Sequence, residues 1–200
     1  MSDRFVDLLR HGEVVGGGRF RGDTDDPLSA SGWEQMRATT AGRSDWDALI
    51  ASPARRCAEF SHELAGERDL PLQLWPALGE RRFGAWENRR AADIPLEDLN
   101  RFWTDPQGFT PPAGEPFLAF RDRVLAAWDR LLGQTFQHPL VVTHGGVIRI
   151  VLGAILGMPP EALLLIEVPP ACLTRLRIPT GGGQPSLLFH AGPAACGAPY

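Results

Sequence analysis

Two hundred residues, 44% of them apolar, supply enough chain for one sizeable core, and a net charge of −4 argues against a general nucleic-acid binder. All twenty basic residues are arginine; the lack of lysine excludes Schiff-base chemistry, a Gly-Lys-Ser/Thr nucleotide loop and any phosphatase that needs a lysine. The most apolar stretch, Val147 to Met158, is too short to cross a membrane and contains Arg149. The N-terminus enters a strand without a basic and apolar leader, so no secretion signal is expected. Cys57, Cys172 and Cys196 are widely spaced and lack a metal-ligand pattern, which reads as reduced thiols in a cytoplasmic protein.

The run Phe5-Val6-Asp7-Leu8-Leu9 predicts a buried strand that ends on Arg10-His11-Gly12. Ligands of α/β sheets bind beyond the carboxyl ends of the strands, which puts Arg10 and His11 at the mouth of a site. Histidine can act as a neutral nucleophile, and arginine orients an anion with a planar fork of donors; phosphate suits the pair best. The loop Gly12 to Pro27 follows, with three consecutive glycines at Gly16-Gly17-Gly18 and with Arg19-Phe20-Arg21-Gly22. Asp23, Asp25 and Asp26 lack the glycine a calcium loop requires and read as turn and cap carboxylates.

Ser31 to Glu34 has the form of a capping box and predicts a helix ending near Gly42. A strand at Ala48–Ala51 precedes Ser52-Pro53, read as the cap and first position of a helix that carries Arg55, Arg56 and Cys57 and ends at Gly66. Arginines in a first turn oppose the helix dipole; binding a ligand and plain solvation both explain them. A third strand is predicted at Leu70–Leu74, followed by Leu78-Gly79-Glu80-Arg81-Arg82-Phe83-Gly84-Ala85-Trp86-Glu87. Asn88 to Gly114, with one helical patch at Leu96–Trp103, reads as an insertion over the sheet suited to substrate contacts or a lid. Apolar residues at three- and four-residue spacing predict a helix over Phe117–Leu132, stopped by Gly133.

Pro139 to Thr143, then His144-Gly145-Gly146 and an apolar helix, repeats the opening arrangement of strand, histidine and glycine. An anion at His144 would also face the positive end of that helix. Strands are predicted at Leu163–Val168, Leu173–Ile178 and Leu187–His190, with a turn at Gly181-Gly182-Gly183 and a loose tail from 191 to 200. His62, His138 and His190 have no partner pattern and read as surface or packing residues.

Arg10-His11-Gly12-Glu13, Arg21-Gly22-x-x-Asp25-x-Pro27-Leu28, Ser52-Pro53-x-x-Arg56-Cys57, Glu80 before Phe83-Gly84-x-Trp86-Glu87, and His144-Gly145-Gly146-Val147-Ile148-Arg149 stand in one order along the chain. As a set they resemble the histidine phosphatase superfamily, the phosphoglycerate mutase-like fold, and most closely its α-ribazole phosphatase branch. The resemblance implies an α/β fold, a three-layer α/β/α sandwich around a largely parallel sheet. It is expected as one domain over residues 1–200 with a cap-like insertion at 88–114. It implies His11 as the nucleophile of a phosphohistidine mechanism and Arg10, Arg56 and His144, with the N–H of Gly145, as the phosphate clamp. Glu80 is implied as general acid and then base. Arg55 is the runner-up to Arg56, and the Ser-Pro-x-x-Arg spacing favours Arg56.

Arg21, Gly22 and Arg81 are further candidates for binding substrate; solvated surface arginine is the other reading of Arg21, Arg81 and Arg82. No cofactor or metal is expected, because arginine supplies the positive charge. The implied ligand is a small phosphorylated metabolite, α-ribazole 5′-phosphate, with no nucleic acid or membrane partner, and the protein is expected as a monomer or homodimer. Two departures stand out: Gly17 replaces the asparagine common in the family's mutases, and Asn88 replaces the glycine of Trp-Glu-Gly. The lack of lysine and the short insertion favour hydrolysis over a phosphoglycerate mutase. A broad-specificity phosphatase and a non-catalytic phospho-ligand binding module remain as alternatives.

Overall fold

The computed structural model describes residues 3–192, so Cys196 and most of the expected tail lie outside it. Six strands form one sheet: β1 (Arg4–Arg10), β2 (Ala48–Ala51), β3 (Leu72–Leu74), β4 (Pro139–Thr143), β5 (Leu173–Ile178) and β6 (Ser186–Ala191), in the order β3-β2-β4-β1-β5-β6. The pairs β3–β2, β2–β4 and β4–β1 are parallel, while β1–β5 and β5–β6 are antiparallel. The sheet is thus largely parallel, with an antiparallel edge.

The strands are buried on both faces because their apolar residues alternate between two cores. Leu9, Leu49, Ala51, Leu140 and Val142 pack with Met36, Phe60 and Leu64 of α1 (Ala30–Thr40) and α2 (Arg55–Arg68). Val6, Leu8, Ile50 and Val141 pack on the other face with Phe120, Val124 and Trp128 of α4 (Phe117–Leu132) and Val147, Ile148 and Val151 of α5 (Gly145–Leu156). The three-layer α/β/α arrangement follows from that alternation. A third cluster, Trp86, Ile94, Leu99, Phe102 and Phe109, lies apart from both and is built around α3 (Leu96–Thr104).

Several boundaries differ from the sequence reading. The cap of α1 is Ser29, not Ser31: its hydroxyl accepts from the N–H of Gly32 at 3.0 Å. Gly32 has no side chain for a reason. A Cβ there would overlap the carbonyl of Glu13, and one on Gly12 would overlap the carbonyl of Gly32, so this glycine pair lets the loop after His11 lie directly on α1.

α2 starts at Arg55 rather than Pro53, because the Ser52 hydroxyl is drawn to His144 at 2.8 Å. The N–H of Arg55 is capped instead by Asp25 Oδ1 at 2.7 Å, so a loop carboxylate supplies the negative charge that the first turn lacks. The helix runs past Gly66 to Arg68 and ends on Asp69 in the left-handed region. The expected strand at Leu163–Val168 is instead a 3-10 turn over Pro160–Leu165; Pro159 precedes it and Pro160 opens it, and it packs Leu163 against α5.

His138 and His190 do have partners: His138 lies between Asp7 and Asp45 at 3.3 and 3.2 Å, and His190 reaches Thr174 and the carbonyl of Glu167, both at 2.7 Å. His62 is exposed.

Candidate active site

The parallel pairing of β1 with β4 sets Arg10 opposite Thr143, so the next residues, His11 and His144, leave the sheet side by side. Their rings meet edge to face with centroids 5.2 Å apart. β2 pairs with β4 on the other side, and the N–H of Ser52 donates to Val142, which brings Ser52 beside His144. Three strand ends thus converge, as in other parallel α/β sheets.

His11 is buried, and its Nδ1 lies 2.8 Å from the carbonyl of Gly12. A carbonyl accepts only, so Nδ1 carries the proton and Nε2 keeps its lone pair. Burial, together with the charges of Arg10 and Arg56, pushes its pKa down to about 3. His11 is therefore neutral near pH 7, with a basic nitrogen available. His144, also buried, is held well below its ordinary pKa by burial first and then by Arg56. Its Nδ1 accepts from Arg56 Nε at 3.3 Å, which leaves the proton on Nε2 for Ser52 Oγ.

Arg56 is 1% exposed, and its other donors go to backbone carbonyls: Thr24 at 2.7 Å and Arg21 and Gly22 at 3.3 Å. Arg55, by contrast, lies outside, paired with Glu59 one helical turn on. Arg10 donates to the carbonyl of Val168, while its buried Nε has no hydrogen-bond partner among the described residues. Glu80 accepts from the N–H groups of Arg81 and Gly146, each at 2.9 Å, so its carboxylate sits at the N-terminus of α5. The helix end expected to face a bound anion therefore gives one of its N–H groups to Glu80. Arg123, on α4, fixes this segment by donating to the carbonyls of Ala77, Gly79 and Glu80 at 3.0, 2.8 and 2.8 Å.

The remaining sequence candidates are placed differently. Arg21 is buried, with its guanidinium engaged by Asp26, Gly17 and Val15 at 2.6, 2.5 and 2.9 Å; it orders the glycine loop around the site. Arg81 is buried between Phe102 and Phe117 and donates to the carbonyl of Glu115 at 2.9 Å. Gly22 offers its N–H to Glu87 at 2.9 Å. Asp23, Asp25 and Asp26 do not gather: among the described residues no group of His, Cys, Asp or Glu side chains has metal-binding geometry.

Of the cavities that border Glu80, two also share Phe20 and Phe83. One, about 390 Å³, is lined by Arg10, His11, Gly12, Arg21 and Glu80. The other, about 470 Å³, is lined by Phe83, Phe102, Trp103, Phe117, Phe120 and Arg149, and the two share Phe20, Glu80 and Phe83. The aromatic cavity was not legible as a site, because residues 20, 83, 102, 117 and 120 come from separate loops and helices. Ser52 and Arg149 were visible only as parts of their motifs.

The family model of the histidine phosphatase superfamily (branch 1) matches residues 6–190. The chain belongs to this family. It is 34% identical over 179 residues to the adenosylcobalamin/alpha-ribazole phosphatase of Escherichia coli K12, spanning 86% of this chain and 88% of that one. It is 28% identical over 175 residues to a glucosyl-3-phosphoglycerate phosphatase of Mycolicibacterium vanbaalenii, spanning 80% of this chain and 78% of that one. The crystal structure of the alpha-ribazole phosphatase of Shigella flexneri superposes with a TM-score of 0.83 at 29% identity, over 94% of this chain and 96% of that one. This histidine phosphatase therefore shares its fold and nearly its full length with phosphatases of small phosphorylated metabolites. No helix among its described residues is long and apolar enough to cross a membrane.

Proposed function

We propose that this chain hydrolyses phosphomonoesters through a phosphohistidine on His11, with α-ribazole 5′-phosphate as the favoured substrate. The observation that carries the reading is the state of His11: buried, neutral and with Nε2 free, because Nδ1–H is spent on Gly12. In the first half-reaction Nε2 attacks phosphorus, the ester P–O bond breaks, and the departing alkoxide takes the proton of Glu80 in its acid form. In the second, water attacks the phosphohistidine, Glu80 takes a proton from that water, and the P–N bond breaks to regenerate the imidazole. Arg10 and Arg56 neutralise the equatorial oxygens, so the positive charge comes from arginine and no metal ion is required. The N–H of Gly145 completes the clamp, and His144, with both ring nitrogens engaged by Arg56 and Ser52, holds Arg56 in place.

The adjoining aromatic cavity supports a leaving group with a flat, apolar portion, which a benzimidazole nucleoside has and phosphoglycerate lacks. The segment 88–114, with its own small core, would serve as the cap over that cavity. The reading places the enzyme in the cytoplasm, acting on a free metabolite.

Phosphate release with chelator present, from α-ribazole 5′-phosphate, 3-phosphoglycerate and simple sugar phosphates, tests this. Release from the ribazole ester at the highest kcat/KM, absent in His11→Ala, is the expected result. Isomerised ester instead of free phosphate would establish a mutase, and a folded protein that binds esters without turnover would establish a binding module.

A further inference from the structure

Glu87 touches none of the groups that would handle phosphate, yet five donors converge on its half-buried carboxylate. They are the N–H groups of Gly22, Asp23, Thr24 and Phe83 at 2.9, 3.1, 3.0 and 2.9 Å, and the Thr24 hydroxyl at 2.6 Å. Burial by itself would raise the Glu87 pKa; hydrogen bonds from Thr24, Phe83 and Asp23 outweigh it and hold the carboxyl below its usual range. The carboxylate is thus anionic and fully used.

The other side of the same loop faces Arg56. The carbonyls of Arg21, Gly22 and Thr24 accept from its guanidinium at 3.3, 3.3 and 2.7 Å. The carbonyl of Arg21 and the N–H of Gly22 belong to one planar peptide group, and the carbonyl of Gly22 and the N–H of Asp23 belong to the next. Each of these two rigid groups is held at its N–H by Glu87 and at its oxygen by Arg56. An anion on the N–H side polarises the peptide and strengthens its oxygen as an acceptor. Gly22 permits the close approach, since a Cβ there would overlap the carbonyl of Arg81 and crowd Glu87 itself. The fifth donor, Phe83, ties the same carboxylate to the segment that carries Glu80.

We propose that Glu87 is a positioning residue for phosphoryl transfer, acting as the remote counter-charge of Arg56 through the peptide groups of Arg21–Gly22 and Gly22–Asp23. This inference rests on the phosphatase reading above. Its consequence is that Arg56 is aimed by backbone rather than by a carboxylate of its own, and so keeps its charge for a substrate phosphate.

The test compares wild type, Glu87→Gln, Arg56→Lys and the double variant by kcat, KM, orthovanadate inhibition and melting temperature. Glu87→Gln should lower kcat and vanadate affinity together, by about 10- to 100-fold, the scale of a displaced reacting geometry, with little change in KM. The double variant should turn over within about twofold of Arg56→Lys alone, because the two act as one unit. A folded Glu87→Gln protein with wild-type kcat and vanadate affinity would overturn the proposal, as would losses that multiply in the double variant. Should Glu87→Gln fail to fold, Thr24→Val removes only the shortest of the contacts. A parallel fall of kcat and vanadate affinity supports the proposal there, and no change refutes it. Phosphate release that survives in His11→Ala would instead sink the phosphatase reading itself.

Discussion

Asp7, on β1, and Arg56, at the start of α2, are both buried charges, and the partners they have been given differ in kind. Asp7, midway along β1 and beside the amino end of β4, is bound in bidentate fashion by Arg175 at 2.8 Å and accepts from Trp46 Nε1 at 2.8 Å, with His138 beside it. Burial pushes its pKa up, but hydrogen bonds and charge from Arg175 and His138 prevail and lower it. There a buried carboxylate has a cationic partner in direct contact. At the carboxyl ends, Arg56 has three carbonyls and a neutral imidazole, and Arg10 has one carbonyl and, among the described residues, no partner for its Nε. Positive charge has been buried there without a direct carboxylate, which stabilises nothing by itself and suits an arriving anion. One end contributes to stability; the other is where we propose the chemistry takes place.

The contrast predicts opposite consequences for substitutions at the two ends. His11→Ala should lower phosphate release by on the order of 10⁴–10⁶-fold, the scale seen when a nucleophile is removed, with no loss of melting temperature. An unchanged rate in a stopped assay would end the assignment of the nucleophile. Asp7→Ala should do the reverse, costing about 3 kcal/mol in urea unfolding because Arg175 loses its buried carboxylate partner and keeps only the exposed Asp45 at 3.2 Å. Its folded fraction should keep kcat within about twofold; a large kcat effect would show that the two ends are coupled.

Arg56→Lys should cost roughly 10²–10³ in kcat, since a point charge cannot reproduce the fork that reaches both the loop carbonyls and an equatorial oxygen. Arg55→Lys, on the exposed side of the same turn, should leave kcat unchanged.

Acid unfolding separates the ends by pH. His11 falls from 6.5 unfolded to about 3 folded, so the unfolded chain binds the extra proton and stability drops as pH falls from about 6.5 toward 3. Asp7 has a lowered folded pKa, so its contribution is present above 3.8 and is lost only as pH falls through that lower value. Urea midpoints between pH 4 and 7 should decline less steeply for His11→Asn than for wild type. Asp7→Asn should run parallel to wild type over that window. A steeper decline for His11→Asn would contradict the buried neutral histidine.

The smallest effect concerns the cap. Trp103 is 44% exposed and lines the aromatic cavity, so Trp103→Ala should reduce kcat/KM for the ribazole ester by about tenfold, the upper range for one aromatic contact. The value for 3-phosphoglycerate should stay within about twofold, and equal losses for both esters would remove the cavity from substrate selection.

Much of this was legible in the chain. The paired strand–histidine–glycine arrangements at His11 and His144, the Ser-Pro-x-x-Arg spacing that singles out Arg56, and the alternation of Val6, Leu8 and Leu9 each follow from local patterns that survive folding. At Pro53 and Leu163–Val168 the outcome differs from the local signal because contacts from distant segments won, whereas at α1 the cap moves only from Ser31 to the neighbouring Ser29. Asp25 capped α2 from another loop, His144 claimed Ser52, and Leu163 packed on α5 instead of entering the sheet. Local propensity is worth tenths of a kcal/mol per residue, and a tertiary partner outweighs it.

The sequence by itself determined which residues stand at strand ends, because buried strands and the histidines after them are written in short apolar runs. It also determined that positive charge would come from arginine alone. Only the tertiary structure decided what each arginine is for. Arg21, Arg56 and Arg81 look alike as letters, yet Arg21 is engaged by Asp26 and loop carbonyls, Arg81 lies between two phenylalanines, and Arg56 is set by carbonyls and His144 beside the candidate site. A guanidinium has no role until its five donors have been assigned, and the assignment depends on carbonyls and carboxylates that are distant in sequence.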